Sequence, residues 1–204
     1  MRITKEQKDA NRERILSTAA LLFRERGFDG VGVAELMERA GFTHGGFYNH
    51  FRSKDELIAQ ACAHGFAENE RRRAGYDIET ILGAYLSRRH RDAPGQGCLT
   101  AALGSEAARQ SDATRAAFAA WADDTVRRLA GHLSPDPEGD PAARAAAIGI
   151  LAQAVGALTL SRACPDTAPI ADEILEACRA ACIEAVQRGR AAPKRRRRTP
   201  EEPR

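Results

Sequence analysis

Apolar residues recur along most of this chain at intervals of three and four, the period of one buried face of an α-helix. Ile15, Ala19, Leu22 and Phe23 form such a stripe within residues 5 to 26, with Arg12, Arg14, Arg24 and Arg26 on the solvated side and Gly27 ending the run. Val33, Leu36, Met37 and Ala40 stripe a shorter helix over 33 to 40, which Gly41 stops. Glycine takes the left-handed C-terminal cap without steric cost. Phe42 is expected to tuck under the turn, and Thr43 to N-cap a second short helix over 44 to 51, because a threonine hydroxyl can accept from an unpaired backbone N–H. Phe47 and Phe51, four residues apart, hold that helix from below. Gly45 and Gly46 each cost it about 1 kcal/mol relative to alanine.

Further on, Ser53-Lys54-Asp55-Glu56 reads as a capping box opening a helix to about residue 73. Gly65 interrupts it, either as a packing glycine or, less in keeping with its setting, as a bend point. Helices are expected over 77 to 90, from about 98 to 109, from 112 to 132 with Asp112 as the cap, and over 141 to 162 and 169 to 188. Residues 88 to 91 read as a solvated surface, 94 to 97 as a flexible loop and 134 to 141 as a Pro- and Gly-rich loop. Strand-like alternation is nearly absent, so the fold class is all-α.

A helix, a short turn containing glycine and a second helix make a helix-turn-helix, whose second helix enters the DNA major groove. The run A-G-F-T-H-G-G-F-Y-N-H-F-R-S-K resembles the signature of the tetracycline-repressor (TetR) family of bacterial one-component regulators, and the resemblance covers roughly residues 8 to 60. It implies a DNA-binding helix-turn-helix unit in residues 1–54 and a larger helical effector-binding and dimerisation domain in 55–190. It also implies a homodimer in which the last two helices pair with their mates. Gly32 stands where the family usually has a capping Ser or Thr, and Gly46 where it often has Thr or Ser, so two side-chain contacts are missing here.

Composition changes this picture in two places. The formal net charge is +3, but the segment from Arg188 to Arg204 holds eight basic and two acidic residues, and its +6 leaves −3 for the rest. Bulk charge therefore does not argue for DNA binding, and any DNA contact must come from a local patch. Residues 191–204 offer nothing to bury and are expected to form a disordered basic tail. Five cysteines, at 62, 98, 164, 178 and 182, have neither C-x-x-C spacing nor a histidine at ligand distance in sequence, so no disulfide framework, metal site or cofactor is expected. The polar N-terminus carries no signal-like apolar run and no apolar stretch reaches transmembrane length, which predicts a cytoplasmic protein without a membrane partner.

No enzyme constellation is present: no G-x-G-x-x-G after a strand, no P-loop, no H-E-x-x-H and no G-x-S-x-G. His64, His90 and His132 have no evident partners. The family resemblance assigns Tyr48 and Lys54 to phosphate contacts. Thr43 sits at a helix N-terminus, which favours an anion. His44, Gly45 and Asn49 are the expected base-edge readers, Asn being able to pair with adenine. Gly46 and His50 complete the interface. An apolar effector pocket is expected among Phe66, Tyr85, Leu103, Phe118 and Trp121. Cys98 is placed in the first turn of a helix, where free N–H groups and the dipole favour a thiolate, with Arg88, Arg89 and Arg91 adding positive potential. Gly97-Cys98-Leu99-Thr100 resembles the N-ethylmaleimide-reductase repressor branch of the family, which implies a cysteine sensing electrophiles and oxidants.

The sequence thus reads as a dimeric regulator, a repressor on an inverted-repeat operator, released by a small molecule or an electrophile. The alternative is a thiol-reactive or small-molecule-binding helical protein without specific DNA binding, which Gly32 and the Gly45-Gly46 pair keep open.

Overall fold

The computed structural model describes residues 4–191, and these are all-helical. Helix α1 (Lys5–Arg26) starts on a reciprocal capping box: the Thr4 hydroxyl accepts from Gln7 N–H at 3.2 Å and the Gln7 amide oxygen accepts from Thr4 N–H at 3.1 Å. It runs to Gly27. Helix α2 (Val33–Arg39) follows, and Gly41 at φ +80° turns the chain out of it. The next element, His44–Asn49, is a 3-10 helix rather than the expected α-helix. Thr43 is its N-cap residue but its hydroxyl makes no capping bond, contrary to expectation. Two adjacent glycines weaken a six-residue segment too short to propagate an α-helix.

Helix α3 (Lys54–Arg73) opens on Ser53, whose hydroxyl accepts from Glu56 N–H at 3.1 Å. It passes unbroken through Gly65. A Cβ there would lie 2.5 Å from Leu99 Cδ1 and 3.3 Å from Ala20 Cβ, so Gly65 leaves the room that side chains of α1 and of the later Leu99 segment fill. The expected helix over 77 to 90 divides. Helix α4 (Ile78–Tyr85), capped by Asp77, ends at Leu86, and Ser87 caps a one-turn helix α5 (Arg88–Arg91). A 3-10 turn, Pro94–Gln96, replaces the expected flexible loop, and Gly95 within it is buried. Helix α6 (Leu99–Ala107) follows, then α7 (Asp112–Leu133), which Ser111 caps rather than Asp112. Helices α8 (Pro141–Ala163) and α9 (Ile170–Ala191) close the chain. The expected disordered tail lies, past Ala191, outside the described residues.

One apolar cluster joins α1, α2, the 3-10 segment and the first half of α3 to Leu99 and Leu103 of α6. A second joins α4, α7, α8 and α9. Trp121 packs against both. The two clusters are therefore continuous through α3, α6 and α7, not separated by a linker. By length and mean hydropathy (1.5), α8 is apolar enough to cross a membrane, which corrects the expectation that no stretch reaches that length. Its hydropathy comes largely from an alanine-rich composition, and it packs between α7 and α9.

Candidate nucleic-acid interface and effector site

Phe47 and Phe51 are buried with ring centroids 5.6 Å apart, which pins the 3-10 segment by its inner side. Arg12 of α1 lies 4.4 Å over the Phe51 ring and donates to the His50 carbonyl, while Arg14 lies 4.4 Å over the half-buried Phe42. Cation–ring contacts of this kind stabilise by about 0.5–1 kcal/mol at exposed sites. With the inner side held, Thr43, His44, Gly45, Tyr48 and Asn49 come together on an exposed surface. Tyr48 is 70% exposed, so its ring and hydroxyl are available to a partner. A Cβ on Gly45 would meet nothing within 4 Å, so the glycine leaves open space outside, not a packing contact. Gly32, the N-cap of α2, makes no side-chain cap and also faces open space. Lys54 is the first residue of α3 and is half-buried. Gly46 and His50 are half-buried; the His50 ring packs toward Phe42 and Phe51, and burial, then Arg12 and Lys8, lower its pKa.

The expected effector residues separate. Phe66 stacks on Trp121 at 5.0 Å and meets Phe118 edge-on at 5.0 Å. Phe66 and Trp121 line a cavity of about 590 Å³ between α3, α4 and α7. Tyr85 lines a neighbouring cavity of about 520 Å³, bounded by α3, α4 and residues 87–97. Leu103 lines neither and is core, 1% exposed, because α6 turns that face toward α1 and α3.

Cys98 is the N-cap of α6, not a residue of its first turn, and it is 2% exposed. Its setting also differs from the expected arginine cluster. Arg88 is bound to Asp92 and Asp172, and Arg91 is buried, donating to Ser161 O at 3.1 Å, Cys164 O at 2.8 Å and Asp166 at 2.6 Å. Arg91 thus caps the C-terminus of α8, where carbonyls lack helical partners. Of residues 88 to 91, expected to be a solvated surface, Arg91 is thus buried and Arg88 and His90 are half-buried, while Arg89 is exposed. The cations whose charges feel Cys98 are Arg24 from α1 and Arg162 from α8.

His90 was expected to lack partners, yet it organises this region. Its Nε2 accepts from Cys98 N–H at 3.1 Å, which leaves Nδ1 to carry the proton and donate to Tyr85 O at 2.7 Å. Burial, with Arg162 and Arg73 nearby, pushes its pKa down to about 4, against the opposing effect of the Tyr85 carbonyl. The Tyr85 hydroxyl is buried with no hydrogen bond of normal geometry, and burial first, then the Cys98 thiol, raises its pKa well above the ordinary value. The turn itself is tied to α1: Arg24 Nε donates to Gly95 O at 2.6 Å. Asn69 of α3 donates to Gly97 O at 3.3 Å. Glu106 of α6 accepts from Phe28 N–H at 2.8 Å. Sequence reading missed these residues because their partners are backbone groups, which carry no residue-type signal.

Fold and surface together define an all-helical helix-turn-helix protein with an aromatic-anchored, exposed recognition segment and a cavity-bearing helical body. Residues 15–61 match the profile of bacterial regulatory proteins of the tetR family. Residues 15–61 are therefore a tetR-type helix-turn-helix domain, and over that span the chain is similar to DNA-binding transcriptional regulators of the family. The HTH-type transcriptional regulator YfiR of Bacillus subtilis, itself uncharacterized, is 32% identical over 71 residues, 35% of each chain. The HTH-type transcriptional repressor NemR of Escherichia coli is 31% identical over 126 residues, 57% of this chain and 63% of NemR. The chain thus aligns with less than two thirds of the length of these curated relatives. The crystal structure of reduced Escherichia coli NemR superposes with a TM-score of 0.71 at 25% identity, covering 86% of this chain and 96% of that one.

Proposed function

We propose that the protein is a homodimeric repressor that binds an inverted-repeat operator and is released by a ligand in its helical body. The observation that carries this reading is the exposed cluster of Thr43, His44, Tyr48 and Asn49, backed by buried Phe47 and Phe51. In this reading Tyr48 and Lys54 grip phosphates, with Thr43 at the segment's N-terminal end. His44, Gly45 and Asn49 approach base edges, with Gly46 letting the backbone come close and His50 supporting from the flank. Release follows from coupling between two sites. A ligand beside residues 87–97 moves the turn that holds Arg24 through Gly95 O, and with it α1 and the recognition segment. Selection of bound DNA from random sequence tests this directly. The expected product is an inverted repeat, with Asn49→Ala blurring one base pair per half-site at a cost of roughly 1–3 kcal/mol. Lys54→Ala should weaken all sequences about equally. Failure to enrich any sequence would favour the alternative, a helical ligand-binding protein without specific DNA binding.

A second trigger, modification of Cys98, is favoured by one observation: the thiol adjoins the Tyr85 hydroxyl and the charges of Arg24 and Arg162, at the turn that joins both halves of the molecule. Addition of the Cys98 sulfur across the double bond of N-ethylmaleimide would force a bulky group into this closed site. Titrating operator binding with N-ethylmaleimide should release wild type and spare Cys98→Ser. Equal loss in both removes Cys98 as the sensor and leaves the non-covalent ligand.

A further inference from the structure

The cavity bounded by α3, α4 and residues 87–97 carries an unusual charge balance. Its lining includes three guanidinium groups, Arg72, Arg73 and Arg89, and neither Asp nor Glu. Arg72 is shared with Glu68 at 2.6 Å. Among the described residues, Arg73 and Arg89 have no carboxylate within ion-pair distance. Arg73 is half-buried, with its guanidinium carbon 5.3 Å from the centre of the Tyr85 ring. A partly buried cation resting on an aromatic face, without a counter-charge, is a ready partner for an incoming anion, and guanidinium can take a carboxylate through two parallel hydrogen bonds. The adjoining cavity is a useful contrast. It also includes Arg73, but Glu70 and Asp77 line it too, and Glu70 already pairs with Arg128.

We propose that the first cavity binds an organic acid, with a carboxylate held by Arg73 and Arg89 and a planar apolar body lying along Tyr76, Ile81 and Tyr85. This rests on the reading that a ligand controls the protein, and it names the class of that ligand. A volume of about 520 Å³ suits a molecule of this kind. The depressed basicity of His90, to which Arg73 and Arg162 contribute after burial, agrees with a positive field at this end of the cavity. Gln96 and Gly97 form part of the same wall, so a bound acid touches the turn whose Gly95 carbonyl is held by Arg24.

The test compares two probes with one ring system and different charge, 2-naphthoate and 2-naphthamide, by calorimetric titration of the full chain. The expected result is that naphthoate binds at least tenfold more tightly than the amide. That preference should fall below threefold in Arg73→Gln and in Arg89→Gln, and persist in Arg127→Gln, whose side chain lies on the far-off Asp123–Asp124 pair. Unfolding midpoints measured alongside confirm that each variant is folded. Equal binding of acid and amide, a preference that survives both cavity variants, or no binding of naphthoate overturns the proposal. Operator retention in the same samples separates the two readings. If the amide releases DNA as well as the acid, ligand control stands and the charge assignment falls. If naphthoate binds through the arginines while DNA stays bound, the site stands and its coupling to the operator falls.

Discussion

At the scale of single residues, His90 shows how one ring can fix a junction. Its two nitrogens are committed to a carbonyl and an N–H, an arrangement only the neutral ring can satisfy. The folded pKa of about 4 lies below the ordinary 6.5. Between those values the unfolded chain binds a proton that the folded chain does not. The stabilisation is therefore complete above pH 6.5, declines as the pH falls toward 4 and is fully lost below it. The linkage amounts to about 3 kcal/mol. Unfolding free energies of wild type and His90→Gln, measured from pH 7 to 4.5, should converge as the pH falls, because only the wild type carries this slope. Parallel curves would show that His90 does not titrate in this way. Cys62 is a quieter case: burial pushes its thiol up to about 12, as expected of a cysteine packed as a small hydrophobe.

Among the elements, the 3-10 segment His44–Asn49 is where local propensity and architecture disagree. Gly45 has no positive φ and nothing around its missing Cβ, so the folded state gains nothing from glycine there. Replacing it by alanine reduces the freedom of the unfolded chain and should stabilise the fold by about 0.4–1 kcal/mol. On the proposed reading the same methyl group meets DNA, so operator affinity should drop while the unfolding midpoint rises. A stabilised variant with unchanged affinity and unchanged selected sequence would take Gly45 out of the interface. The division of the expected 77–90 helix belongs at this scale too. Ser87 restarts the chain as α5, and the change of direction delivers His90 to Cys98 and Arg91 to the end of α8.

For the whole molecule, α8 carries an exposed apolar face. Leu160 is 60% exposed and Ile148 is 49% exposed, while Gly149 and Gly156 have no atoms near their missing Cβ positions. A second copy packed there is the dimer proposed above, with recognition segments about 34–36 Å apart or a multiple of that distance. Leu160→Glu removes no buried contact from the monomer, so the fold should persist while light scattering on a sizing column reports half the mass. Operator affinity should fall with it. An unchanged dimer would move the interface elsewhere. Coupling within each copy depends on the same continuity of packing, since Arg24, Asn69 and Glu106 stitch residues 95–106 to both α1 and α3.

Much of this was legible in the chain itself. Periodicity located the long helices because a helix must bury one face, and Gly32-to-Lys54 carried the helix-turn-helix because its glycine stop at Gly41 and paired phenylalanines act between near neighbours. Capping by Ser53 was readable for the same reason, since cap and partner lie three residues apart. What only the tertiary structure decided were the interactions that span the chain. Gly65 became a contact point because Leu99 and Ala20 arrive from other helices. Leu103 left the effector site because α6 turns it inward. Arg91 left the surface because the end of α8 needed donors, and His90 found backbone partners that no residue pattern encodes. Local sequence specifies where a helix begins and which side is apolar. It does not specify which backbone groups of distant segments will be left unpaired, and those determined where the polar side chains of this protein went.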